Sequence, residues 1–272
     1  MSKAELYDMH AHSRCSHDSE ARVLDMALAC KEKGVSGLAI TDHCDVQFGD
    51  TIDYVTLIGH SVREAQTTKC DGVQILSGVE LGESIWNMSY AKKVISAHSY
   101  DVIIGSVHAV RYEGYTQPYS TIDFSKMTES ELDGYMNAYF DDLLETARTL
   151  ECDIIAHLTC PLRYINGKYS LGVDSSQYRE KILEILKTII ARSVSLEVNT
   201  SGLGTRHDSL MPEKWILQEY KRLGGCLITL GADAHAPQGV AKGFDSTVAL
   251  LKELGFDGYY YYEQRKPNRV SI

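Results

Sequence analysis

Residues 7–17 read Tyr7-Asp-Met-His10-Ala-His12-Ser-Arg-Cys-Ser-His17 and place three imidazoles and a carboxylate within a short segment. The alternation of residues 5–12 predicts a β-strand, in which side chains two positions apart share one face. His10 and His12 can therefore reach the same metal ion. His17 lies beyond the strand, where it could serve a second ion nearby. Because a single His-x-His pair is weak evidence, the interpretation depends on the rest of the chain.

Seven β-then-α units follow one another from this stretch onward. The predicted strands are 5–12, 37–43, 73–81, 101–108, 153–157, 194–201 and 227–235, and the predicted helices are 20–33, 53–69, 87–97, 128–150, 175–192, 212–223 and 239–254. Thr128 and Glu131 form a capping-box sequence at the start of the longest helix. Residues 259–262 are interpreted as a closing strand or a packed tail. Repeated units without low-complexity linkers predict one parallel α/β domain over residues 1–272.

Ionisable side chains recur where these strands end. Seven of the ten histidines lie at or just beyond a predicted strand end, together with one Glu and one Asp: His10, His12, His17, His43, Glu80, His108, His157, Asp233 and His235. In a closed α/β barrel the loops after the strands build the active site. The alternative, an open doubly wound sheet, gathers its ligands at one switch point. The distribution therefore favours a barrel.

Nine such groups on one rim indicate a polynuclear metal site. Without a cation, desolvation and mutual repulsion would make this crowding costly. Imidazole and carboxylate ligands favour Zn, Mn or Fe. Two ions about 3.5–4 Å apart can share a hydroxide that attacks phosphorus or a carbonyl carbon. Hydrolysis is therefore the expected chemistry.

Four further polar residues are candidates around this site. Asp8 and Asp42 neighbour ligand histidines and could orient imidazoles or relay protons, although plain strand-end hydrogen bonding is the alternative. Arg163 and Arg206 lie in loops on the predicted active rim, where a guanidinium could hold a phosphate group through two hydrogen bonds. A solvated loop arginine or a salt bridge is the alternative for each.

Composition limits the partners and the compartment. The net charge of −10, from 27 basic and 37 acidic residues, argues against nucleic acid as a partner, because no basic run exists to replace counterions. A small phosphorylated substrate remains compatible, since bound cations reverse the local charge. Seven scattered cysteines without a Cys-x-x-Cys pair predict reduced thiols in a cytoplasm. No signal-peptide pattern or membrane-spanning apolar stretch is expected.

With these residues identified, the chain resembles the PHP (polymerase and histidinol phosphatase) family, most closely its histidinol-phosphatase branch. The resemblance spans nearly the whole length. Its motifs are Asp8-Met-His-Ala-His12 with His17, Thr41-Asp-His43, Gly78-Val-Glu80, Ser106-Val-His108, Ala156-His157 and Gly231-Ala-Asp-Ala-His235. Nine ligands in this order form a specific signature.

The resemblance implies a distorted seven-stranded β/α barrel that holds three divalent ions, with Zn expected and Mn or Fe as alternatives. It implies three ligand groups around these ions: His10, His12, Glu80 and Asp233; Glu80, His108 and His157; and His17, His43 and His235. The segment 197–206 looks like the branch's phosphate-binding loop and contributes Arg206. The segment 157–163 contributes Arg163.

The implied activity is hydrolysis of L-histidinol phosphate to L-histidinol and phosphate, in histidine biosynthesis. Arg163 and Arg206 would stabilise the phosphoryl oxygens, Asp42 or a metal-bound water would protonate the leaving alkoxide, and Glu113 would contact the cationic part of the substrate. A nucleotide, a sugar phosphate or a diester remains an alternative substrate. A metal-binding module or a polymerase accessory domain is the non-enzyme alternative. The oligomeric state stays open.

Overall fold

The structure is a computed structural model that describes residues 5–272, and its centre is a parallel sheet of buried strands. The strands are β1 (Tyr7–Ala11), β2 (Gly37–Ile40), β3 (His43–Asp45), β4 (Gln74–Gly82), β5 (Val102–Ser106), β6 (Ile154–Ile155), β7 (Ser195–Asn199) and β8 (Ile228–Gly231). β2 and β3 pair with β4 in one continuous register, Gly37 with Gln74 and His43 with Glu80. They are one strand interrupted by two residues, so the sheet has seven strand positions.

The sheet curls until its two edge strands meet. The strand order is β1-β2-β4-β5-β6-β7-β8, and all these pairs are parallel. At the carboxyl ends of β1 and β8, the amide of His12 donates to the carbonyl of Ala234 at 2.9 Å, and the amide of Asp233 donates to the carbonyl of His10 at 2.8 Å. We call these two hydrogen bonds the seam. They confirm the predicted barrel over the open doubly wound sheet.

Helices surround this barrel and bury one face each against it. They are α1 (Val23–Lys33), α2 (Tyr54–Thr67), α3 (Met88–Ala97), α4 (Glu129–Thr149), α5 (Pro161–Ile165), α6 (Arg179–Ala191), α7 (Lys214–Arg222) and α8 (Phe244–Glu253). The predicted capping box at the start of α4 is present, because Thr128 and Glu131 each accept a hydrogen bond from the other's backbone amide. No helix within residues 5–272 is long and apolar enough to span a lipid bilayer.

Two helices differ from the prediction. α5 lies in a segment predicted as loop, because its five residues are too few to show a 3.6-residue period. α8 begins five residues later than predicted. Gly243, with φ of 74°, adopts the left-handed conformation immediately before it, and Pro237–Gly239 forms a separate 3-10 turn.

A carboxyl-terminal hairpin of β9 (Gly258–Glu263) and β10 (Lys266–Ser271) covers the end of the barrel where the strands begin. The ring of Tyr261 stacks on Tyr7 with centroids 3.8 Å apart. The hydroxyl of Tyr259 accepts a hydrogen bond from the amide of Tyr7, and Arg265 pairs with Asp153. Residues 259–262 therefore form a strand, as one of the two interpretations had it, but this strand packs on the barrel and does not close its sheet; β10 was not predicted. The opposite end of the barrel is left for the site.

Candidate metal centre and active site

Glu80 lies at the centre of the carboxyl-end rim, fully buried between imidazoles from four other strand ends. Its Oε1 lies 2.9 Å from Nε2 of His157 and 3.1 Å from Nε2 of His108. Its Oε2 lies 2.9 Å from Nδ1 of His43 and 3.3 Å from Nε2 of His10. One carboxylate thus faces two pairs of potential ligands, as a group bridging two ions would.

Eight of the nine predicted ligands fall into groups whose donor atoms lie within 4.8 Å of one another. Four such groups occur in the described chain: His10, His12 and Asp233; His10, Glu80 and His157; His12, His43 and His235; and His43, Asp45 and His108. Nε2 of His12 lies 3.2 Å from Oδ1 of Asp233. The structure therefore brings the predicted strand ends together at one site.

Unsatisfied buried atoms show that this cluster fits divalent cations. Nε2 of His10, Nε2 of His12 and Oε2 of Glu80 are all buried, and none makes a hydrogen bond within the described residues. Buried polar atoms are normally hydrogen-bonded, so three orphans facing one another require an explanation. Metal ions would accept lone pairs from all three at once.

The ionisable groups inside the cluster shift one another's pKa values. Burial alone would raise the pKa of Glu80, yet His108, His10 and His43 hold that pKa well below its usual value. Burial lowers the pKa of His12 to about 3, with His43 and His235 adding to the effect. These surroundings favour the uncharged form of His12, which is the form that binds metal.

The backbone is strained at two of these positions. His157 and Asp233 have φ angles of 29° and 52°, in a region that side-chain-bearing residues rarely adopt. Strain of this kind persists where the surrounding structure fixes it, and it clusters at functional sites. Both residues turn their side chains into the cluster from the points where β6 and β8 have just ended.

His17 and Asp18 lie at the mouth of the site. His17 is exposed, and its ring centroid is 5.4 Å from that of His43. Oδ2 of Asp18 lies 3.1 Å from Nε2 of His235, and its Oδ1 lies 3.7 Å from Nε2 of His43. The sequence analysis identified His17 as a ligand candidate but not Asp18. Asp18 could have been found as a carboxylate in the same loop, one position after His17.

Two buried carboxylates stand behind the imidazoles, and sequence reasoning gave neither a role there. Oδ1 of Asp45 lies 3.0 Å from Nδ1 of His108. Oε1 of Glu197 lies 2.6 Å from Nδ1 of His10. A carboxylate on the outer nitrogen orients a metal-binding histidine and leaves the inner nitrogen for the ion.

Neither Asp8 nor Asp42 makes a direct hydrogen bond to an imidazole of the described residues. Asp8 accepts hydrogen bonds from three backbone amides, those of His10, Ala232 and Ala241. Asp42 accepts four hydrogen bonds, from the Ser13 amide and from the hydroxyls of Ser13, Ser16 and Ser61. Asp42 does not line the cavity described below. Strand-end hydrogen bonding, considered as the alternative, describes Asp8, whereas Asp42 is linked to Nδ1 of His12 through the Ser16 hydroxyl.

A cavity of about 370 Å³ opens onto the cluster. Its lining combines residues of the cluster with Arg163 and two tyrosines. Its lining residues are His17, Asp18, His43, Asp45, His108, Pro118, Tyr119, Ser120, Thr121, His157, Cys160, Arg163, Tyr164, Asp233 and His235. Arg163 donates a hydrogen bond of 3.0 Å to the hydroxyl of Ser201. Arg163 thus lines the same cavity as the imidazoles.

Arg206 and Glu113 are not brought to this cavity. Both side chains are exposed, and neither lines it. Glu113 lies in a tight turn with φ of 46°, where the backbones of Tyr112 and Tyr115 pair across it. Arg206 lies in the loop after β7. Of the residues expected to contact the substrate, the structure places Arg163 alone at the site.

Comparisons with known proteins agree with this geometry. The family model of the PHP domain matches residues 8–201. A probable histidinol-phosphatase of Thermotoga maritima is 24% identical over 259 residues, which cover 93% of this chain and 94% of the relative. A histidinol-phosphatase of Lactococcus lactis is 26% identical over 258 residues, covering 92% and 91%. A crystal structure of histidinol phosphate phosphatase from Lactococcus lactis, complexed with Zn, L-histidinol and phosphate, superposes with a TM-score of 0.75 at 20% identity, covering 98% of this chain and all of the other.

Proposed function

Because the chain belongs to the PHP domain family, we propose that it is a metal-dependent phosphomonoesterase that hydrolyses L-histidinol phosphate to L-histidinol and phosphate. One observation carries the proposal: residues of the cluster centred on Glu80 and the side chain of Arg163 line the same cavity. A phosphate group is the substrate element that both a metal cluster and a guanidinium bind. The names of the relatives support the choice of alcohol. The cysteine pattern favours a cytoplasmic enzyme.

We propose that three divalent ions occupy the cluster, with zinc fitting its ligands best and manganese or iron as alternatives. Their ligands would be His10, His12, Glu80 and Asp233; Glu80, His108 and His157; and His43 and His235 with Asp18 and His17. Bound there, such ions polarise phosphoryl oxygens and lower the pKa of water. The zinc in the related crystal structure supports this assignment.

The chain's own residues bind and orient the substrate in this proposal. The guanidinium of Arg163 is largely buried and exchanges the Ser201 hydroxyl for two phosphoryl oxygens, which fixes the phosphate against the cluster. The rings of Tyr119 and Tyr164, with centroids 5.4 Å apart, form the wall beside it and exclude water. Asp42 and Arg206 have no step in this scheme, because neither reaches the cavity.

Phosphate release tests the proposal directly. Protein reconstituted separately with Zn, Mn and Fe is assayed with L-histidinol phosphate, nucleotides, sugar phosphates and a diester. We expect kcat/KM for histidinol phosphate to exceed the others by at least about 100-fold, which is about 2.7 kcal/mol of discrimination. Equal, slow cleavage of every ester would retain the phosphoesterase and reject the substrate. Metal binding without any cleavage would reject the enzyme.

A further inference from the structure

Glu197, on β7, connects β1 with the residue that follows β6, next to the metal cluster. It is buried, with an exposed fraction of 1%. Its Oε1 lies 2.6 Å from Nδ1 of His10, on β1. Its Oε2 accepts hydrogen bonds from the amide of His157 at 2.9 Å and from Nδ2 of Asn199 at 3.1 Å. Both carboxylate oxygens therefore have hydrogen-bond partners, Oε1 on His10 and Oε2 on His157 and Asn199.

This arrangement decides which nitrogen of His10 carries a proton. A carboxylate oxygen can only accept, so Nδ1 of His10 must donate to Glu197. Nε2 is then left with its lone pair, and it faces Glu80 at 3.3 Å and Asp233 at 3.9 Å. The ring is thus held with its ligand atom directed into the cluster.

The neighbouring strand β8 is shaped around the same carboxylate. A Cβ atom added to Gly231 would lie 2.2 Å from Oε1 of Glu197 and 2.8 Å from Cβ of His10. Gly231 does not adopt a left-handed φ, so the backbone angle would permit another residue. Space for Glu197 is the reason that this position needs glycine.

We propose that Glu197 is a positioning residue that fixes the tautomer and the orientation of His10 for metal binding. This inference rests on the proposed metal-dependent function and adds a residue to it. The positioning role is inferred from the hydrogen bonds of both Glu197 oxygens and from Gly231, where any side chain would collide with Glu197. Removing such a partner from a metal-binding histidine weakens metal binding about 10- to 100-fold.

Glu197→Gln is the sharpest variant, because the amide keeps the volume but has only one acceptor oxygen. Two donors, from His157 and Asn199, compete with one donor from His10. The side-chain oxygen of the introduced glutamine would therefore accept from His157 and Asn199, and its NH2 group would face Nδ1 of His10. Nδ1 must then accept, which places the proton on Nε2 and removes the metal-binding lone pair.

Asp153→Asn provides a matched control. Asp153 is also buried, accepts a hydrogen bond from the amide of Ile103 in the neighbouring strand, and lies at the opposite end of the barrel. Zinc titration against a competing chelator measures the number and the affinity of bound ions in both variants. We expect at least one ion to bind about 10- to 100-fold more weakly in Glu197→Gln and with unchanged affinity in Asp153→Asn.

A second measurement needs no variant to fold. In zinc-loaded wild-type protein with labelled histidine, nitrogen chemical shifts should show His10 bound through Nε2 with a proton on Nδ1. Coordination through Nδ1, or unchanged zinc affinities in Glu197→Gln, would overturn the positioning role. Neither measurement involves turnover, so wild-type protein that binds zinc this way yet leaves histidinol phosphate intact would reject the proposed function alone.

Discussion

Arg163 is the residue whose position separates the two candidate phosphate-binding arginines. Its side chain lines the cavity, whereas that of Arg206 is exposed outside it. We expect Arg163→Ala to lower kcat/KM for the phosphate ester by about 100-fold, as loss of a charge-stabilising donor does. Steady-state kinetics of Arg206→Ala provide the control, with a change of less than about threefold. Equal losses in the two variants would contradict this assignment.

Asp18 competes with His17 for the outermost metal position. Asp18 lies within 3.1 Å of His235 and 3.7 Å of His43, whereas His17 makes only a ring-to-ring approach to His43. We therefore expect Asp18→Ala to lose more bound metal than His17→Ala. Elemental analysis after dialysis against a weak chelator measures this loss. Greater loss in His17→Ala would restore the ligand set implied by the family resemblance.

At the residue scale, the sequence predicted the ligand candidates at strand ends. It did not predict the buried carboxylates of Asp45 and Glu197, which lie next to the outer nitrogens of His108 and His10. Glu80 and Asp233 stand out because each closes an apolar run. Glu197 lies inside a buried strand, and its role depends on His10 of β1, which lies beyond the intervening strand β8. That depends on three-dimensional register across the barrel, which the pattern of one strand does not contain.

At the scale of elements, α4 carries a carboxyl group that should make stability depend on pH. Burial raises the pKa of Asp142 to about 6, although a hydrogen bond with Trp86 opposes the shift. The folded protein therefore holds this proton more tightly than the unfolded chain. The contribution of this group to the free energy of unfolding is fully present below about pH 4. It is lost as the pH rises to about 6.

We expect Asp142→Asn to remove that loss, because the amide has no charge to bury. The variant should match wild type near pH 4 and become progressively more stable than wild type up to pH 6, with a constant difference above. Urea unfolding at several pH values measures this difference. Glu145→Gln is the control, since this carboxylate lies on the same helix and is exposed, and an equal pH-dependent gain in stability there would argue against burial as the cause.

Elements with long periodic patterns were predictable, and short ones were not. The capping box of α4 is encoded locally by Thr128 and Glu131, so sequence alone located the start of the helix. α5 spans little more than one turn, which no periodicity can reveal. β10 alternates weakly because most of its side chains are exposed, so only its pairing with β9 defines it.

For the whole molecule, metal removal should lower stability as well as activity. Bound ions would connect the ends of β1, β4, β5, β6 and β8, and a ligand present at 100 times its dissociation constant contributes about 2.7 kcal/mol. We expect stripping by a chelator to lower Tm by about 5–10 °C in calorimetry. The same chelator preloaded with zinc is the control. An unchanged Tm would show that the barrel holds the cluster without ions.

The barrel itself was predictable because its evidence is distributed over the whole chain. Each strand contributes one or two ionisable residues at its end, and only a closed arrangement brings ends such as His12 and Asp233 within 3.2 Å. The loops carried no such constraint. Arg206 and Glu113 were predicted from loops that follow strands of the barrel, and neither side chain is among the residues that line the cavity.

The seam between β1 and β8 has a dynamic consequence. Its two hydrogen bonds involve the backbones of His10, His12 and Asp233, which are also the residues proposed to share an ion. Any opening motion that separates the two strands must pull that ion's ligands apart. A bound ion should therefore slow solvent exchange of the His12 and Asp233 amide hydrogens. The exchange rates of these two backbone protons would then measure how often the two strands separate.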